Sequence, residues 1–203
     1  MSDLRIRTLR AFSRTPSLRA AARRYAAGVA EPAQLEQKPA TPQGPKPKGH
    51  SVVDSAIYCN GSRVASPESL ADTYQELHES PHSLAWIGLY RPDRRELNSL
   101  AKEFDLHELA IEDAIQAHQR PKLERYGEVL FTVLRSAKYQ DDVERVEFGE
   151  LHVFTGKDFV VTVRHAESPD LGEVRKRLEE TPELLKLGPE AVLYAILDQV
   201  VDV

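Results

Sequence analysis

The stretch VLFTVLRSAKYQDDVERVEFGELHVFTGKDFVVTVRH, residues 129–165, decides the fold. Apolar residues occupy both parities in Val129-Leu130-Phe131 and again in Phe159-Val160-Val161. A strand with one wet face alternates, whereas a strand that is apolar on both parities is covered on both faces. The pattern predicts strands over Val129–Lys138, Glu144–Phe154 and Phe159–Val163, preceded by one over Lys122–Tyr126, in a sheet with helices on each side. Thr155-Gly156-Lys157-Asp158 leaves room only for a tight turn. The strands it joins are therefore antiparallel, and the sheet is mixed rather than doubly wound.

The flanking sequence supplies the covering layers. Ala56–Cys59, Asn60-Gly61 and Ser62–Ala65 read as a hairpin, because Asn-Gly accepts the positive φ angles of a type I′ turn. Ser66-Pro67-Glu68 reads as an N-cap with proline in the first helical position, opening a helix that carries Leu70, Tyr74 and Leu77. Leu84–Tyr90 is a short buried strand, and Asp93 caps a helix whose face is Leu97, Leu100, Ala101 and Phe104. Leu171–Glu180 and Pro189–Val203 are helical, the latter opened by Gly188-Pro189. The expected fold class is α/β, an αβα sandwich whose mixed central sheet is covered by helices on both faces. The last helix meets no Gly, Asn or Pro before Val203, so the expectation is that it is cut there and leads toward a stalk missing from this chain.

Composition sets the domain boundary near residue 50. Residues 1–25 carry Arg5, Arg7, Arg10, Arg14, Arg19, Arg23 and Arg24 against the acid Asp3, and residues 31–49 are rich in Pro, Gln and Lys. Such segments bury too little apolar surface to offset ordering entropy, so 1–50 is expected to be a disordered Arg-rich tail and linker, with one domain over 51–203. The basic tail could meet anionic lipid, or nothing. The net charge of −5 gives no global basic field, which argues against nucleic acid as a partner. Cys59 is the one cysteine, which excludes an intrachain disulfide and suits the reducing cytoplasm. No apolar run approaches the ~20 residues that span a bilayer.

The densest chemistry lies in His107–Lys122, HELAIEDAIQAHQRPK. Pro121 restricts Arg120, so a helix there ends close to His118 and hands over to a strand at Lys122. Inward packing of Leu109, Ala110 and Ala114 turns Glu112 or Asp113 to solvent, where adjacent carboxylates repel unless something positive stands beside them. A hard cation is one answer, since Mg2+ commonly takes one or two carboxylates and keeps several waters. A plain solvated acidic face is the other. Glu190, Tyr194, Asp198 and Asp202 form a second stripe, four residues apart on a helix otherwise apolar. Asp198 could pair with Arg120, Lys122 or Arg125, cap a contact between subunits, or supply a cation ligand. The seven histidines make no zinc pattern. His165 with Glu150 is a hydrolytic pair without a recognisable frame, and no phosphate loop or nucleophile elbow accompanies it, so an enzyme is not expected.

The string Ile111-Glu112-Asp113 with His118-Gln119-Arg120-Pro121-Lys122-Leu123-Glu124 closely resembles the signature of the cytoplasmic domain in the CorA family of magnesium transporters. So do Val129–Leu134, Glu147–Phe154, Phe159–His165 and Leu193–Asp202, in the same order, the likeness being strongest over 104–203. The resemblance implies a homopentamer of αβα domains around a funnel of long helices that leads to a membrane portion, on the cytoplasmic face of the cell membrane. It implies Mg2+ as a regulatory ion between subunits, with Glu112 and Asp113 matching acids of the sensing face, Asp198 a further acid nearby and Asp202 a weaker match. The partner acid implied across the interface lies on the stalk, outside this chain. Glu108 stands where the family pattern has proline. The implied function is a Mg2+-sensing, regulatory domain of a magnesium ion transporter that conducts no ions alone. A domain for zinc or another divalent ion in the same superfamily, and a stand-alone protein assembling with a full-length transporter, are the alternatives.

Overall fold

The computed structural model describes residues 51–141, 144–166 and 169–201, so the expected tail over 1–50 and Asp202 lie outside the described residues. Seven strands form one sheet: β1 (Val52–Cys59), β2 (Ser62–Ala65), β3 (Ser83–Tyr90), β4 (Lys122–Tyr126), β5 (Val129–Gln140), β6 (Arg145–Thr155) and β7 (Phe159–Arg164). Their spatial order is β2-β1-β3-β7-β6-β5-β4. The β3–β7 pair is parallel and every other pair is antiparallel, which makes the sheet mixed, as the turn Thr155–Asp158 implied.

Helices α1 (Leu70–Glu79), α2 (Arg94–Glu103) and α3 (Glu108–Gln116) cover one face. Leu77, Leu97, Leu100, Phe104, Ala110, Ile111 and Ala114 pack there in one cluster with Ile57, Ile87, Phe131, Val133, Phe154, Val161 and Val163 from the strands. The opposite parity of the same strands, Tyr58, Trp86, Val160, Val153 and Leu151, is also buried. Over that second face lie α4 (Leu171–Glu179), the short α5 (Pro182–Leu185) and α6 (Pro189–Val201), with α6 crossing β5, β6 and β7. The αβα sandwich is therefore present, and central strands apolar on both parities are its cause.

Local chemistry moves several expected boundaries. Asn60 and Gly61 take φ of 51° and 78°, the double positive turn the hairpin needed. The cap of α1 is Ser69, not Ser66: its hydroxyl accepts from Asp72 N at 3.1 Å and donates to the Asp72 carboxylate at 2.6 Å. An acid three residues on makes Ser69 the better cap, and Pro67 is buried ahead of the helix. Asp93 and Glu96 form a reciprocal capping box on α2. On α3, Leu109 is 53% exposed and Ile111 takes the inward position expected of it. The helix stops at Gln116 because Ala117 and His118 both enter the left-handed region, at φ 53° and 61°.

The second face carries a buried cation. Arg175 of α4, 6% exposed, lies 4.0 Å over the Trp86 ring, donates to Trp86 O and Tyr58 Oη, and pairs with Asp54 at 2.9 Å. Arg63 shares Asp54 at 2.7 Å, and Tyr58 Oη donates to Glu179 at 2.7 Å, so edge strands and α4 form one polar network. Burial and the neighbouring Glu179 push the Tyr58 phenol well above its ordinary value, which keeps it a donor. Arg175→Ala removes the stack and strands the acceptors. The expected cost is about 2–3 kcal/mol, read in urea as a lower midpoint at unchanged slope.

A carboxylate corner where helix α3 meets strand β4

The site grows from the ends of α3. His107 caps its start, Nδ1 accepting from Leu109 N at 3.2 Å, and its ring stacks on Tyr126 of β4 with centroids 4.4 Å apart. Ala110, Ile111 and Ala114 are buried, which leaves Glu112 exposed and Asp113 half-buried at the helix edge. At the far end the left-handed pair Ala117-His118 reverses the chain, and Pro121 delivers it to β4 at Lys122. Residues of β4 alternate, so Lys122, Glu124 and Tyr126 share the face that α3 covers.

That register places an ammonium between two carboxylates. Lys122 Nζ lies 2.6 Å from Asp113 Oδ2 and 2.8 Å from Glu124 Oε2, with the Phe131 ring 5.7 Å away. Tyr126 Oη donates to the same Glu124 oxygen at 2.9 Å. Burial alone would lower the Lys122 value, but its bonds to Asp113 and Glu124 outweigh that and raise it. The hydrogen bond from Lys122 in turn holds Glu124 below the usual carboxylate range. Lys122 is thus committed to Asp113 and Glu124 rather than to Asp198.

Behind this corner lies a buried polar chain. Glu150, 7% exposed, accepts from His152 Nε2 at 2.7 Å and from Gln119 N at 3.2 Å, with Arg135 3.9 Å from its second oxygen. A carboxylate only accepts, so His152 carries its proton on Nε2. Burial pushes Glu150 up, but His152, Gln119 and Arg135 together hold it below its ordinary value. His165 Nε2 donates to Ala114 O at 3.0 Å, and its ring meets His152 edge-on at 5.3 Å. His165 and Glu150 do meet, through backbone: His165 N donates to Glu150 O at 3.2 Å. Their side chains have separate partners, so the pair forms no acid–base dyad. It ties α3 and the Gln119 loop to β6 and β7.

The acids singled out in the sequence do not gather within one chain. Glu112 and Asp113 lie on the α3 layer, while half-buried Asp198 lies on α6, across the sheet. Among the described residues no three His, Cys, Asp or Glu side chains are placed to hold a metal. The donors at the corner nonetheless suit a hard divalent cation in kind, being carboxylate oxygens at a solvent-facing edge, and Mg2+ commonly needs one or two. Sequence reasoning missed Lys122 as the partner of Asp113, and His152 altogether. The even positions of Glu150-Leu151-His152-Val153-Phe154 carried a signal, because they put a carboxylate and an imidazole on the parity of buried Phe154.

The αβα domain with a mixed sheet is a fold shared with soluble domains of known structure. The family model described as CorA-like Mg2+ transporter protein matches residues 81–203, and the chain belongs to that family. YfjQ of Bacillus subtilis (strain 168), a metal ion transporter by name, is 40% identical over 117 residues, which is 58% of this chain and 35% of that protein. This chain therefore spans about a third of that relative. Among solved structures, the soluble domain of CorA from Methanocaldococcus jannaschii matches with TM-score 0.52 at 17% identity, covering 72% of this chain and 55% of that one. The ZntB cytoplasmic domain from Vibrio parahaemolyticus matches with TM-score 0.55 at 12% identity, covering 75% and 58%. At those identities the likeness is one of fold.

The half-buried His165 gives a pH dependence of known sign. Burial, with His152 beside it, pushes His165 down from 6.5 to about 4. Between those values the unfolded chain takes up a proton that the folded chain excludes, so this contribution is full above pH 6.5 and declines as pH falls toward 4. Roughly 2–3 kcal/mol should be lost over that window. His165→Gln keeps an N–H within reach of Ala114 O and cannot titrate. Urea midpoints at neutral and acid pH should differ less in this variant than in the parent.

Proposed function

We propose that this domain senses cytoplasmic Mg2+ for a divalent-cation transporter, binding the ion between subunits at a face that includes Glu112 and Asp113 on one copy, with Asp198 and Asp202 as further acids. The observation that carries the reading is the placement of Glu112 and Asp113 at the outer edge of a helix locked at both ends. His107 stacks on Tyr126 at one end, and at the other the Ala114 carbonyl is held by His165 while Gln119 is held by Glu150. Glu112, Asp113 and Glu124 outnumber Lys122 in charge, so this edge repels an acid brought near it, and a divalent cation reverses the sign of that interaction.

Because Asp113 and Asp198 belong to opposite layers of one domain, a cation touching both would have to join two copies of the chain. A ring of copies, the homopentamer implied by the family resemblance, meets that condition. Cations bound between subunits favour whichever arrangement brings the carboxylates together, and depletion restores repulsion that loosens it. The donor set favours Mg2+ over zinc, since zinc sites draw on Cys and His, whereas the acids of this reading offer carboxylate oxygens. Conduction, and attachment to the cytoplasmic face of a membrane, belong in this reading to other parts of a longer protein. Among the described residues no helix is long and apolar enough to cross a membrane.

Sedimentation velocity of the full chain, first with chelator and then with millimolar Mg2+, tests the reading. A Mg2+-dependent shift to larger species is expected, and it should vanish in Asp113→Ala. Sedimentation unchanged by Mg2+ would overturn sensing by this chain.

A further inference from the structure

Surface lysines are ordinarily mobile stems whose ion pairs contribute little. Lys122 is held on several sides. Its side chain is 27% exposed, its ammonium touches Asp113 at 2.6 Å and Glu124 at 2.8 Å, and the Phe131 ring lies 5.7 Å from the charge. Its position is fixed by the backbone too, as the first residue of β4 directly after Pro121. The Asp113 oxygen that faces β4 therefore already carries a cation, and that cation is part of the protein.

We propose that Lys122 is a tethered competitor for the divalent cation at Asp113, so that exchange of ammonium for metal sets the concentration at which the site fills. The inference rests on the reading of Glu112 and Asp113 as cation-binding acids. An ammonium 2.6 Å from Asp113 Oδ2 opposes a metal ion on the same carboxylate, since two positive charges drawn to one carboxylate repel each other and the ammonium occupies one of its two oxygens. Exchange is nevertheless open to Lys122. Glu124 lies on the same face of β4, is fixed by Tyr126 Oη at 2.9 Å, and keeps the ammonium partnered after Asp113 is given up. Displacement thus sacrifices one ion pair and leaves the second.

The consequence is a graded threshold. The apparent affinity of Asp113 for a divalent cation is its intrinsic affinity reduced by the fraction of time the carboxylate is free of Lys122. A doubly charged ion can displace the ammonium, whereas a monovalent ion at the same concentration gains no charge in the exchange. Lys122 would then set both the filling concentration and the preference for double charge.

The thermal midpoint of the full chain, followed against MgCl2 with ionic strength held constant by KCl, separates the possibilities. Lys122→Met should reach its half-maximal shift at roughly three- to ten-fold lower Mg2+ than the parent. Arg125→Met makes the same charge change at an exposed position on the opposite face of β4, and should move the midpoint less than about two-fold. Asp113→Asn should abolish the response in either background. Equal shifts in the two Met variants would reduce the effect to net charge and overturn tethered competition. A parent that responds through Asp113 while Lys122→Met responds at the same or higher Mg2+ would overturn it as well, leaving the sensing reading intact. A parent with no Mg2+-specific response, or one that survives Asp113→Asn, sinks the sensing reading itself, and this inference with it. Should Lys122→Met fail to fold, Lys122→Gln carries the same comparison.

Discussion

Glu150 is a carboxylate at 7% exposure, and a buried charge must be met by donors or it costs several kcal/mol. The donors that meet it come from different parts of the chain. His152 comes from the same strand, Gln119 N from the loop after α3, and Arg135 from the neighbouring strand β5. Holding Gln119 fixes the loop in which Ala117 and His118 turn left-handed, and that loop decides where α3 ends and at which residue β4 begins. The spacing of Lys122 to Asp113 follows. One buried acid in the sheet thereby governs the geometry of the acids at the surface.

The two layers answer different requirements. On the α1–α3 side an apolar cluster runs from Ile57 to Phe131, and the polar chain of Glu150, His152 and His165 sits at its margin. On the α4–α6 side the fixed point is Arg175, stacked on Trp86 and bound to Asp54, which fastens α4 to the edge of the sheet. The sheet, buried on both faces, stands between them and keeps α6 apart from α3 within one chain. Any role for Asp198 together with Glu112 and Asp113 is consequently a role between copies.

Family membership fixes the frame and leaves the ion open. The CorA and ZntB soluble domains match this fold about equally well, with TM-scores of 0.52 and 0.55, so backbone architecture does not distinguish between them. The proposed reading rests on donor chemistry at the edge of α3, where Glu112 is exposed, Asp113 is half-buried and Lys122 stands against one Asp113 oxygen.

Much of this was legible in the residues alone. The both-parity apolar run at Phe159–Val161 specifies a strand covered on two faces, since no one-sided packing would bury it; Asn60-Gly61 and Asp93 specify a turn and a cap by chemistry that acts over two or three residues. Glu112 and Asp113 were visible as adjacent acids on a helix for the same local reason. What the sequence could not decide were meetings between distant residues. Ser69 displaced Ser66 as a cap by a contact with Asp72, Ile111 took the core position expected of Leu109, and Lys122 paired with Asp113 and Glu124 instead of Asp198. Each outcome depends on how a helix rolls against the sheet or on the register at which a strand begins. Those are fixed by packing across the whole domain, so only the tertiary structure could place the lysine against its acid.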